Sequence, residues 1–279
     1  MNLIKMLLWI VSVLAINNSD GINDSDFNNT INDSSYYDTE IEEPVEPDPH
    51  WHNEFYYEDI EALADTSIYD ESGEYHISTI NELAGLVKLV NEGRSFEGCS
   101  FYLENDLDLE GYRWVPIGWY YPADDGHLWQ DFPFMGKFYG NGHVIYNMYM
   151  YEPEHSDLGL FGRALGDFGV YDLGLANCYI EGRYYIGGFV GDVVSNKGDY
   201  DISNCFVTGT IKGEIDTGAI AGSAAKLRIK DCYAVLDEES TDLLAADMRG
   251  ESEELNCHIN DDEAKEKLFE YISSFEANE

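Results

Sequence analysis

Basic residues are scarce in this chain, with 15 Lys and Arg against 55 Asp and Glu and a formal charge of −40. Phosphate backbones and anionic lipid surfaces are held by clustered Lys and Arg, so nucleic acid is excluded as a partner class and membrane surfaces are disfavoured. Catalytic signatures are missing too. There is no His-Glu-x-x-His, no Gly-x-Ser-x-Gly elbow, no Walker loop and no Cys-x-x-Cys pair, so the corresponding protease, hydrolase, nucleotide and zinc or redox chemistries find no support. The seven His are scattered, with His143 in a Gly-Asn-Gly-His corner where a structural role is favoured over a base. No segment beyond the first 16 residues is apolar for long enough to span a bilayer.

The single apolar run, Met6 to Ile16, follows Lys5 and carries Val13 and Ala15 at signal-peptidase spacing. Its shortness favours a cleaved signal peptide over residues 1–16 rather than an uncleaved anchor. The mature chain is expected to be secreted or cell-surface associated, with no membrane insertion after cleavage. Residues 17–74 hold no Lys or Arg and are rich in Asp, Glu, Asn and Ser, with a Pro-rich patch from Glu43 to Pro49. Such a composition cannot offset the entropy of ordering and is expected to form an acidic disordered spacer. Ile60 and Leu63, after the aromatic cluster Trp51, Phe55, Tyr56 and Tyr57, are candidates for a short helix docked on the domain. The acid excess is concentrated at the ends, since residues 6–87 hold 19 acids and no base and residues 237–279 hold 15 acids against 3 bases. It therefore reads first as a solubility feature of the termini, leaving cationic partners or divalent ions open.

What the chain has is repetition. Gly159-Leu160-Phe161-Gly162, Gly188-Phe189-Val190-Gly191 and Ala219-Ile220-Ala221-Gly222 are each followed by Asn177-Cys178, Asn204-Cys205 and Asp231-Cys232, with the cysteines 27 residues apart each time. A unit of fixed length with variable loops is the mark of a solenoid whose units bury their apolar sides by stacking. Short alternating runs with β-branched and aromatic residues, punctuated by Gly and Asn, make those units strands. The fold class expected is all-β, a short right-handed β-helix of about four or five coils over residues 75–236. Two amphipathic helices are expected to cap it. One runs from Thr79 to Asn91, opened by a Thr79/Glu82 capping box. The other runs from Asp261 to Phe275 in the acidic segment 237–279, with Ala264, Leu268, Phe269, Ile272 and Phe275 on one side.

These blocks, with Trp114-Val115-Pro116-Ile117-Gly118 and Phe134 to Ile145 ahead of them, resemble the GLUG-motif repeat of bacterial secreted and cell-surface proteins, including parts of adhesins and surface proteases. The resemblance implies a β-helical scaffold and supplies no catalytic residues to carry over.

Candidate sites are few. Asn105 to Gly111 begins like a calcium loop but has Ile117 where the twelfth-position acid should stand, so a structural turn is expected and no cofactor beyond weak surface calcium. Asp124, Asp125, Asp199 and Asp201 are loop acids read the same way. Asn177, Asn204 and Asp231 are expected to form a corner ladder, and Cys178, Cys205 and Cys232 an inward stack. Rungs about 4.8 Å apart also allow a disulfide, so free and bridged thiols both remain open. The suggestive surface is the aromatic stretch Trp114, Trp119, Tyr120, Tyr121 and Trp129, whose rings beside acids suit a surface glycan or a protein. The reading is a non-enzymatic structural or adhesive module, or a domain that spaces another partner. The alternative is a small carbohydrate-active β-helix enzyme, which paired carboxylates about 5 to 9.5 Å apart in a groove would favour.

Overall fold

In the computed structural model, the structure describes residues 58–110, 112–122, 129–194, 198 and 200–276. The chain divides at Tyr57, and the described residues belong to the second of its two units. The expected signal peptide, the spacer up to residue 57, and Asp124, Asp125 and Asp199 lie outside the described residues.

Parallel strands stack into a β-solenoid of about five turns, with three walls and, among the described residues, two α-helices. The first wall has seven strands in chain order: Glu74–Ile77, Ser100–Leu103, Lys137–Tyr139, Gly169–Tyr171, Tyr200–Ser203, Leu227–Lys230 and Glu253–Leu255. The second runs from Glu58–Asp59 through Gly174–Glu181 and Phe206–Lys212 to Tyr233–Leu236 and His258–Ile259. The third comprises Phe161–Ala164, Val190–Val193, Ala221–Ala225 and Ala245–Arg249. Alternation decides which side chains face in. Phe101, Phe138, Val170, Ile202 and Ile229 are in register along the first wall and fully buried. Val207 and Ala234 continue Leu175 on the second wall, and Phe161, Val190 and Ala221 line the third.

The glycine blocks align as their sequence suggests, because Phe161 pairs with Val190 and Val190 with Ala221. Their second glycine has a physical cause. A Cβ on Gly191 would lie 2.4 Å from the Asp157 carbonyl carbon, and one on Gly222 would lie 2.3 Å from backbone atoms of Tyr185. Asp157 and Tyr185 are themselves left-handed corners of the preceding coil, with φ of 60° and 57°. Each block therefore needs a residue without a side chain where the neighbouring corner presses on it.

The cysteine register differs from expectation. Gly174 pairs with Phe206 and Phe206 with Tyr233, so Leu173, Cys205 and Cys232 are equivalent, and His258 opposite Tyr233 brings Cys257 into the same row. Cys178 pairs with Gly209 instead, beyond a bulge in strand Gly174–Glu181 where Asn177 takes φ of 55°. The corner ladder is correspondingly Asp172, Asn204, Asp231 and Asn256, all at positive φ. Asn204 donates to the Asp172 carboxylate, and Asn256 to that of Asp231 at 2.6 Å. Asn177 belongs to a second ladder, donating to Asn147 at 2.6 Å, which donates to Asp108 at 2.6 Å. All five cysteines are free thiols.

Ordered structure reaches further than residues 75–236. Ile60–Leu63 forms a 3-10 turn with Ile60 fully buried, and Ala245–Arg249, Glu253–Leu255 and His258–Ile259 add a coil after Leu236. Helix α1 (Ile80–Asn91) has both bonds of the Thr79/Glu82 capping box and buries Leu83, Leu86, Val87 and Val90. Helix α2 (Asp262–Glu276) buries Ala264 and Leu268, but Phe269 is 60% exposed and so lies off the packed side where the sequence put it.

Candidate functional site

The third wall is interrupted once on its N-terminal side. Ile117 bridges Phe161 and Phe134 bridges Ala164, and between them the chain leaves the wall as an antiparallel hairpin of Tyr120–Pro122 with Trp129–Asp131. Gly118 makes the exit. Its φ is +80°, and a Cβ there would stand 2.8 Å from the carbonyl oxygens of both Arg163 and Phe132. Asn91, the last residue of α1, holds the base. Its amide donates to Glu61 and to the Pro116 carbonyl, each at 3.2 Å, and its oxygen accepts from the N–H groups of Gly118 at 3.0 Å and Trp119 at 3.2 Å. The sequence marked Asn91 only as a helix stop.

Of the five aromatic residues selected from sequence, the backbone brings Trp119, Tyr120, Tyr121 and Trp129 together on this hairpin and its approach. Trp119 is half-buried and meets the ring of His155 edge-on at 5.7 Å. Trp114 does not belong to the patch. It is 1% exposed and its indole N–H donates to the Leu160 carbonyl at 3.3 Å, so it is a core residue.

From Arg163, which meets the hairpin at Asp131, a row of polar side chains that the sequence reading passed over runs along the third wall. Arg163, Asp192, Ser223 and Asp247 are in register on successive strands of the third wall. Each follows the second glycine, or its equivalent Ala246, of a repeat block, which is the signal that could have found them. The Arg163 guanidinium lies 3.2 Å from Asp131 of the hairpin, 3.4 Å from Asp157 and 3.8 Å from Asp192. Arg249 reaches Asp192 at 3.6 Å and Asp247 at 2.9 Å. The Asp157 and Asp192 side chains are only 4% and 10% exposed. Loss of solvation pushes the Asp157 carboxyl up to about 7, with Asp192 adding to the rise and Arg163 opposing it. Asp192 is raised for the same first reason. The cluster thus sets two buried carboxyls with raised pKa beside one arginine, while its exposed member is Asp131 at the hairpin.

Two other surfaces bear on binding. The outer face of the first wall carries a column of stacked rings, His76, Tyr102, Tyr139 and Tyr171, at centroid spacings of 5.2, 5.0 and 4.9 Å. A groove of about 330 Å³ runs across successive coils, lined by Asn141, Asp172, Gly174, Asn204, Phe206 and Tyr233 among others. The calcium-like acids are engaged in structure: Asp106 accepts from the Val144 N–H at 2.9 Å and pairs with His143, and Asp108 accepts from Asn147. Asp201 pairs with Arg228. Among the described residues no group of three or more His, Cys, Asp or Glu is arranged to hold a metal ion, and no helix is long and apolar enough to cross a membrane. No protein-family model matches the sequence, and neither a curated protein nor a solved structure matches it.

Proposed function

We propose that this chain is an exported, surface-associated and non-enzymatic β-solenoid that uses the hairpin of Tyr120–Pro122 and Trp129–Asp131 as an adhesive element for a surface glycan or protein. The observation that carries this reading is the hairpin itself, an aromatic-rich excursion anchored at its base by Asn91 and by Asp131 on Arg163. A rigid wall holding a projecting loop is how scaffolds generally carry binding residues. The resemblance to GLUG-motif proteins and the signal-like N-terminus support the exported setting. The test is a glycan array and a cell-surface pull-down with the full chain and with a Tyr121→Ala/Trp129→Ala variant. Binding by the parent that the double variant loses, at unchanged melting temperature, supports the reading. Binding that survives both substitutions removes the hairpin from it.

A second reading, a small carbohydrate-active enzyme, draws on one observation, the buried Asp157 and Asp192 carboxyls flanking Arg163, both raised above the usual carboxylate range by loss of solvation. Cleavage of any member of a polysaccharide panel, abolished by Asp192→Asn, would favour it over adhesion.

A further inference from the structure

Three thiols form one column in the C-terminal half of the solenoid. Cys205, Cys232 and Cys257 each stand between a left-handed corner residue (Asn204, Asp231 and Asn256) and the first residue of a second-wall strand, and Phe206, Tyr233 and His258 pair in register, so the cysteines lie on three successive coils. Their sulfurs are placed alike. Cys205 donates to the carbonyls of Val170 and Ser203 at 3.8 and 3.3 Å, Cys232 to those of Ile202 and Lys230 at 3.5 and 3.3 Å, and Cys257 to those of Ile229 and Leu255 at 3.5 and 3.4 Å. Each thiol therefore leans on the coil before its own, and the Cys232 sulfur lies within hydrogen-bonding reach of both neighbouring thiols. Adjacent strands stand about 4.8 Å apart, inside the Cα range that a disulfide spans, so a bond between two of these residues needs no change of coil or register. The three differ in access. Cys205 and Cys232 are fully buried, whereas Cys257 is half-buried. Leu173 closes the column on the inner side, and Cys99, the other half-buried cysteine, stands near Gly73 at the N-terminal end.

We propose that Cys232 and Cys257 are an oxidisable pair whose disulfide fastens the last coil to the coil before it, with Cys205 left as a thiol. The oxidant is a low-molecular-weight disulfide such as oxidised glutathione, which an exported chain, as proposed above, meets outside the reducing cytosol. The Cys257 thiolate attacks one sulfur of the reagent, forming a mixed disulfide and expelling one reagent thiolate. The Cys232 thiolate then attacks the Cys257 sulfur, the protein disulfide forms and the second reagent thiolate leaves. The two cysteines lose two electrons and two protons, and the reagent takes up both to become two thiols. The other neighbouring pair, Cys205 with Cys232, has no member that an oxidant reaches. The hydrogen bond to Cys232 and burial hold the Cys257 thiol above its ordinary range, and burial does the same for Cys232, so the exchange quickens towards alkaline pH.

The test is incubation of the folded full chain with oxidised glutathione at mildly alkaline pH, an acid quench, and non-reducing peptide mapping by mass spectrometry, with circular dichroism to confirm that the fold is kept. The expected product is one intramolecular cross-link joining Cys232 to Cys257, reversed by dithiothreitol, with Cys178 and Cys205 recovered as thiols. Cys205→Ala is expected to form the same bond, and Cys257→Ser to leave Cys232 a thiol. Limited proteolysis within residues 245–259 is expected to be about tenfold slower for the oxidised chain than for the reduced one. A folded chain that stays reduced or stops at a Cys257 glutathione adduct, a bond from Cys232 to Cys205 in its place, a cross-link that forms only after denaturation, or proteolysis indifferent to oxidation would each overturn the proposal.

Discussion

At Asp157 a single corner residue has to satisfy two demands. Its backbone sits at φ 60°, a conformation that Asp and Asn tolerate better than most, and its side chain is buried beside Arg163. Because the folded protein binds its proton up to about pH 7, against 3.8 for the ordinary group, the proton is held more tightly folded than unfolded. The stability this contributes is complete below about pH 4, declines as pH rises towards 7, and is gone above it. Asp157→Asn keeps the corner and removes the ionisation. The variant is expected to match the parent near pH 4 and to exceed it at pH 8 by up to about 4 kcal/mol, measured by urea unfolding at both values. An equal stability difference at the two pH values would show that Asp157 is ionised throughout. Single residues are also where sequence reading was weakest. Cys178, Cys205 and Cys232 are evenly spaced, yet Cys178 lies past a bulge and Leu173 holds its expected place. Spacing counts residues, whereas stacking follows hydrogen bonds, and one left-handed Asn is enough to separate the two.

Among the elements, α1 and the hairpin show what local pattern can and cannot convey. The capping box and the apolar stripe of α1 are local, so the helix was legible within a residue of its ends. The hairpin was legible as an aromatic cluster but not as a hairpin, because its anchor, Asn91, is contributed by a helix 27 residues earlier than Gly118. Asn91 is 7% exposed and its amide satisfies two backbone N–H groups and one carbonyl. Asn91→Ala removes the partner these groups have in Asn91, at a position where Gly118 and the Pro116 carbonyl are buried. A loss of about 2–3 kcal/mol is expected, together with faster amide exchange at Gly118 and Trp119 than at Ile202 or Val207. Uniform acceleration along the chain would instead mean that Asn91 stabilises the solenoid as a whole and does not specifically hold the hairpin. The ionic row escaped the sequence reading for a related reason. Arg163, Asp192, Ser223 and Asp247 differ in chemistry, and only the register of the third wall shows that they form one column.

Across the whole molecule, stability in a stack of coils is carried by contacts between neighbours, so each coil is as secure as what covers it. The repeat was legible because it recurs, and so were the two helices at its ends; the coil over residues 245–259 was not, because a terminal coil departs from the pattern that reveals the rest. The N-terminal coil is covered by α1, the inner coils by one another, and the last coil by α2, whose main described contacts are with the second wall. Opening is therefore expected to start at residues 245–259 and move inwards. The row Cys205, Cys232, Cys257 reports on this, since it places one thiol on each of three successive coils approaching that end. Cys257 is half-buried, while Cys205 and Cys232 are fully buried. Cys178 is fully desolvated as well, with its thiol pushed up to about 12. Alkylation under native conditions, followed residue by residue by mass spectrometry, is expected to proceed in the order Cys257, Cys232, Cys205, with Cys178 among the slowest. Simultaneous modification of Cys257, Cys232 and Cys205 would mean that the coils open together, and that the C-terminal cover has no bearing on how the solenoid comes apart.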